Sequence, residues 1–142
     1  MPKMIIHSPE GTFDAPARQR AAAELSTLGL ACEELPASPF VKSTVWIYFS
    51  EYAPDAVFMG DRPASRGIVT LQLYAIEGGL NDDGKRRLIE GATDIIGRHS
   101  GAKAPVPAYV VIHEIEESDW GIFGKTADLA ALRASAADAP SI

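Results

Sequence analysis

One order of elements runs through residues 1–62 and again through about 66–125, and this internal repeat constrains the fold more than any single motif. The first copy reads as an apolar strand over Met4–His7, a turn at Glu10-Gly11-Thr12 and a helix from Ala15 to about Leu30. A second strand over Thr44–Ser50 and a turn containing Phe58-Met59-Gly60 complete it. The second copy gives a strand over Ile68–Tyr74, a turn at Glu77-Gly78-Gly79 and a helix from Asp82 to about Arg98. It ends with a strand over Ala108–Glu114 and a turn at Ile122-Phe123-Gly124. In each copy the helix must carry the chain back parallel to its first strand, which makes a right-handed βαβ unit.

Start and stop signals support both helices. Asp14 is placed to cap the first, with Pro16 tolerated in its first turn, and Ala21, Leu25 and Leu28 form one apolar stripe. Asn81 is placed to cap the second. Asp82 and Asp83 suit the positive end of its dipole, Leu88, Ala92, Ile95 and Ile96 line one face, and Gly101 can end it. The runs 45–49 and 109–112 are apolar at nearly every position, a pattern of strands buried on both faces. Two helices can cover one face only. The expectation is an α+β domain spanning residues 1–142, with duplicated βαβ units forming a four-stranded sheet, two helices on one face and a second copy of the chain against the other. The tail is residues 126–142, and the part of it after Ala131, rich in Ala, Ser, Asp and Pro, reads as a fraying end.

Composition excludes several functions. Thirteen basic against 19 acidic residues give a net charge of −6 without a Lys/Arg cluster, which argues against nucleic acid. No run approaches the roughly 20 apolar residues of a membrane span and no leader is evident, so a cytoplasmic protein is expected. Cys32, the lone cysteine, stands in an apolar helical context and reads as a buried structural thiol. His7, His99 and His113 lack the spacing of zinc ligands, and Glu114, Glu116, Glu117 and Asp119 read as a solvated turn. Residues 60–67 lack the Gly-Lys-Ser/Thr of a phosphate loop. No metal and no cofactor are expected.

Pro2 is the candidate catalytic group. It follows Met1 and heads the first strand, so removal of Met1 would turn an amide nitrogen into a secondary amine. An α-amino group titrates at roughly 7.7–8.0, and burial lowers that value by disfavouring the cation. Such a nitrogen can carry a proton at neutral pH or add to a carbonyl.

A βαβ unit opened by Met-Pro and followed by a second unit without the proline resembles the tautomerase superfamily, whose larger members are fusions of two units. Ile6-His7-Ser8-Pro9-Glu10-Gly11 is similar to the opening of 4-oxalocrotonate tautomerase. Ala53-Pro54-Asp55-Ala56-Val57-Phe58-Met59-Gly60 is similar to the mid-chain turn of the cis-3-chloroacrylic acid dehalogenase group. Residues Ser118-Asp119-Trp120-Gly121-Ile122-Phe123-Gly124 resemble the late turn shared across the superfamily. The resemblance implies a tautomerase/MIF-like fold, a homotrimer and a small-molecule substrate. It further implies Pro2 as acid/base, Trp120 as an apolar wall and Asp119 at the position that activates water in the dehalogenases.

Departures from the pattern matter as much. The dehalogenases' two arginines, which bind a substrate carboxylate, align with Glu77 and Leu80, and the histidine expected near Leu28-Gly29 is absent. Arg62, Arg66, Lys42 or Lys125 are the cations that could be supplied by a neighbouring subunit. Glu77 beside Pro2 would instead stabilise the ammonium form, and Glu77→Gln would then lower the proline pKa. The function implied is cofactor-free tautomerisation of a small 2-oxo or unsaturated carbonyl compound. Hydration or dehalogenation of a small unsaturated acid, and a non-catalytic trimeric binding protein of the same fold, stand as alternatives.

Overall fold

In the computed structural model, which describes residues 2–64 and 67–142, each half of the chain forms a βαβ unit followed by a small hairpin. Met1, on whose removal the Pro2 chemistry turns, and Arg66 lie outside the described residues. The first half comprises β1 (Lys3–Pro9), α1 (Ala15–Cys32), the short α2 (Pro39–Ser43), β2 (Trp46–Tyr52) and the hairpin of β3 (Phe58–Met59) with β4 (Arg62–Pro63). The second comprises β5 (Val69–Ile76), α3 (Asp82–Ser100), β6 (Ala108–Ile115), the hairpin of β7 (Gly121–Ile122) with β8 (Lys125–Thr126), and α4 (Leu129–Arg133).

The sheet order is β2-β1-β5-β6. β1 and β2 are parallel, as are β5 and β6, while β1 meets β5 antiparallel with Met4 opposite Leu73 and Ile6 opposite Leu71. Strand periodicity sends Met4, Ile6, Leu71 and Leu73 to the helix side, where all four are fully buried. There they meet Ala17, Ala21 and Leu25 of α1 and Leu88, Ala92, Ile95 and Ile96 of α3. The two helices lie close because Gly91 leaves room for Leu28; a β-carbon there would fall 2.9 Å from Leu28 Cδ2.

Capping follows the local chemistry. Asp14 accepts a hydrogen bond from Ala17 N at 2.8 Å, Asn81 Oδ1 accepts one from Gly84 N at 2.7 Å, and Gly101 closes α3 in the left-handed region at φ 72°. Cys32 is buried at the end of α1, and burial pushes its thiol pKa up. Among the described residues no helix is long and apolar enough to cross a membrane.

The apolar strands leave one face open: Trp46 is 51 % exposed and Tyr109 77 %, and among the described residues no element covers that face, which is where the expectation sets a second copy of the chain. One expectation needs correction: the stretch after Ala131 does not fray. Leu129 and Leu132 of α4 are buried with Leu30, Leu35, Val41 and Ile76 in a second apolar cluster. Phe40 N donates to Ala139 O at 3.0 Å, and Ile142 N donates to Ser43 Oγ at 3.3 Å. Two leucines in a small-residue tail make a weak sequence signal, yet they suffice once α2 offers a surface.

Glu24 on α1 ties the two helices together by accepting from Arg98 Nη2 at 2.7 Å and pairing with His99 Nε2 at 2.8 Å. These contacts, Arg98 first and then His99, hold its carboxyl pKa at about 2, against 4.5 for an unperturbed glutamate. A depressed folded-state pKa means that the unfolded chain takes up the proton first as pH falls, so the interaction stabilises above pH 4.5 and is lost on the way down to about 2. Urea unfolding of wild type and Glu24→Gln should therefore show a stability gap that is constant near neutrality and closes between pH 4.5 and 2.

Candidate active site

On the open face of the sheet the strand register sets Trp46, Lys3, Tyr74 and His113 side by side. Tyr74 and His113 stack with ring centroids 4.7 Å apart, and Lys3 Nζ sits 5.5 Å from the Tyr74 centroid. Trp46, Lys3 and Tyr74 of this row floor one end of a cavity of about 420 Å³ whose other wall is Asp119, Trp120, Gly121, Ile122 and Phe123. Among the described residues the lining is mainly aromatic and apolar, with Lys3 as its one cation and Asp119 as its one acid. A small organic molecule with a polar end fits such a lining.

The chain after β6 builds the wall. A single 3₁₀ turn over Glu117–Asp119 brings Trp120 N to Glu117 O at 3.2 Å, and the Trp120 carbonyl accepts from Ala127 N at 2.8 Å. Glu117 Oε1 accepts from Leu129 N at 2.7 Å, which anchors the turn to α4. Glu114 pairs with Lys85 Nζ at 2.6 Å, so the acidic run is divided among different partners. Among the described residues no group of three or more His, Cys, Asp or Glu could hold a metal.

Phe123 carries the site's one strained feature. Both central residues of its hairpin have positive φ, 48° at Phe123 and 80° at Gly124, the pattern of a tight I′ connection that favours Asn-Gly. A bulky side chain in that region costs roughly 1–2 kcal/mol, and in return the exposed Phe123 ring stands on the cavity.

The sequence-nominated residues are only partly assembled. Asp119 and Trp120 line the cavity together. Pro2 immediately precedes Lys3, which lines it, but the proline is buried toward the helix side. Its ring fits against α1 because position 29 is glycine; a β-carbon there would fall 2.7 Å from Pro2 Cγ and 3.0 Å from Met4 Cε. Glu77 is exposed on its turn, its backbone N donating to Ile115 O at 2.8 Å, and it does not line the cavity. Lys42, Arg62 and Lys125 do not line it within the chain either. Lys3, Tyr74 and Phe123 escaped the sequence reading. Strand alternation from buried Met4 could have placed Lys3 on the open face, but nothing local says that a cavity forms there.

At the other end of the sheet a concavity of about 880 Å³ occupies the equivalent place in the repeat, lined by Phe58, Met59, Tyr109 and His7 among others. His7 Nδ1 lies 2.7 Å from Tyr52 Oη and Nε2 3.2 Å from Gln72 Oε1. The strand equivalent to β1 at this end, β5, starts inside the chain, so its first residue has no α-amine.

Comparison with known proteins agrees with this architecture. Residues 70–128 match the family model described as Tautomerase enzyme. Among solved structures, N1, a member of the cis-3-chloroacrylic acid dehalogenase family, is 22 % identical with a TM-score of 0.76 over 89 % of this chain and 83 % of its own. An F6 fused 4-OT, solved as an asymmetric trimer, is 21 % identical with a TM-score of 0.76 over 92 % and 98 %. Pt0534 inactivated by 2-oxo-3-pentynoate is 15 % identical with a TM-score of 0.74 over 92 % and 98 %. No curated protein matches the sequence.

Relief of the hairpin strain should separate stability from ligand binding. Phe123→Asn is expected to raise the unfolding free energy by roughly 1 kcal/mol while weakening the binding of aromatic ligands followed by Trp120 fluorescence; a destabilised variant would show that the Phe123 ring packs to hold the fold.

Proposed function

We propose, from the premise that this chain is of the tautomerase superfamily and built as one fused, duplicated unit, that it is a cofactor-free tautomerase with Pro2 as its acid/base. The observation that carries the reading is position: Pro2 opens the central strand whose next residue, Lys3, lines an aromatic cavity together with Asp119 and Trp120. With Met1 removed, the Pro2 nitrogen accepts the hydroxyl proton of an enol and returns a proton to carbon, so that the enol becomes the keto form with no net change in the protein. Tyr74, Trp120 and Phe123 exclude water from the apolar part of a small 2-oxo or unsaturated carbonyl substrate. The Lys3 ammonium supplies the positive charge for its oxygens in place of the arginines absent at Glu77 and Leu80.

Asp119 favours a second reading. A carboxylate on the same cavity wall could orient water toward an unsaturated acid, which is the hydratase or dehalogenase chemistry.

A homotrimer completes the proposal. The exposed aromatic face, Trp46, Tyr48 and Tyr109 among its residues, needs a cover that the chain lacks, and the fused 4-OT relative was solved as a trimer. Light scattering should give three times the 15.2 kDa of the chain; a stable monomer would overturn the trimer.

Catalysis is tested with the enol form of phenylpyruvate, whose conversion to the keto form is followed by ultraviolet absorbance. Wild type should accelerate it. A variant with a Gly-Ser extension ahead of Pro2 should lose the acceleration, by roughly 100-fold or more, because its proline nitrogen is an amide. Equal rates in the two proteins would remove Pro2 from the mechanism, and no rate in either would favour a binding protein.

A further inference from the structure

An acid that the sequence reading passed over lies one helical turn beyond the glycine on which the proline packs. Glu33 is the residue after α1 and is 1 % exposed. It stands four residues, one helical turn, beyond Gly29, on which the Pro2 ring packs, and positions so spaced are neighbours about 5–6 Å apart on a helix surface. On its other side the second strand-to-helix turn makes room for it. A β-carbon at Gly79 would fall 3.1 Å from Glu33 Oε1 and 2.9 Å from Ile76 O. Arg133 Nη2 fixes this arrangement by donating to Glu33 O at 3.1 Å and to Gly79 O at 3.3 Å.

The position is a poor one for an anion on structural grounds alone. The C-terminal end of a helix carries partial negative charge, which repels a carboxylate, and burial adds a desolvation cost. Burial pushes the Glu33 carboxyl pKa up, and neighbouring positive charge, Arg133 included, pulls it back. Among the described residues the Cys32 thiol also adjoins it, its pKa pushed up by burial, with Arg87 and Asp83 acting on that thiol in turn. Placement of an acid here serves a partner that gains from it.

We propose that Glu33 is the positioning residue of Pro2: its carboxylate accepts an N–H from the Pro2 ammonium, aims the nitrogen and raises its pKa. The proposal rests on the reading of Pro2 as a free amine. It assigns to Glu33, on the first helix, the role that the sequence suggested for Glu77 on the second turn. Burial alone would lower the amine pKa; an adjacent carboxylate offsets that and keeps the nitrogen protonated closer to neutrality. The two groups then titrate as a coupled pair.

The experiment is nitrogen NMR titration of ¹⁵N-proline-labelled protein processed at Met1, in wild type and Glu33→Gln. The variant should move the Pro2 titration down by roughly one pH unit or more, and the rising limb of kcat/KM against pH for the phenylpyruvate enol should move with it. A merely structural glutamate would leave both midpoints in place. If Glu33→Gln does not fold, wild type with ¹³C-labelled glutamate carboxyls answers the question, since the Pro2 nitrogen and the Glu33 carboxyl should each show an inflection at the other's midpoint. A titrating Pro2 amine with superimposable curves, or with independent single inflections, overturns the Glu33 assignment alone. A Pro2 nitrogen that never titrates overturns the underlying reading and the assignment together.

Discussion

The antiparallel pairing of β1 with β5 is the interaction on which the rest depends. It joins two βαβ units into one sheet, sets Met4 against Leu73 and Ile6 against Leu71 at the centre of the core, and brings both helices to one face. Because side chains alternate along a strand, the same register that buries Met4 turns Lys3 outward and Pro2 toward the helices. A shift by one residue would exchange the core for the open face. The cavity and the proline are therefore positioned by the residue pairing of a single strand pair.

Duplication also explains what is unlike between the two ends. Both carry a concavity bounded by a small hairpin, but β1 begins the chain and β5 continues from the preceding segment. Removal of Met1, as proposed, would give the first an amine. Around that end the structure accepts unfavourable local choices, each with a stated compensation. Gly29 weakens α1 and admits the Pro2 ring, Phe123 is held at positive φ and presents its ring to the cavity, and Glu33 sits at the wrong end of a helix dipole one turn beyond Gly29.

Much of the fold was legible because its signals are local. Asp14, Asn81 and Gly101 mark helix ends by chemistry confined to one turn, and the stripe of Leu88, Ala92, Ile95 and Ile96 declares its buried face by periodicity. The four-stranded sheet of two βαβ units followed from the repeat. What could not be read depends on distant partners. Leu129 and Leu132 are buried only because α2 and the end of α1 meet there, and Lys3 lines a cavity only because residues 119–123 return to it. Glu33 did leave a trace, as an acid after an apolar helix whose last turn lacks a base, but only the packing of Gly29 and Gly79 ties it to Pro2.

The central claim is that Pro2 ends the working chain as a reactive secondary amine, and intact-mass spectrometry before and after treatment with 2-oxo-3-pentynoate tests it most directly. The conjugated alkynone takes up an amine at its β-carbon, the nitrogen–carbon bond forming as a proton passes to the α-carbon, so the mass rises by that of the whole reagent. The account predicts a chain that begins at Pro2 and gains one such adduct, located on Pro2 by peptide fragmentation. A chain that keeps Met1, or one that begins at Pro2 and carries its adduct elsewhere, would contradict it.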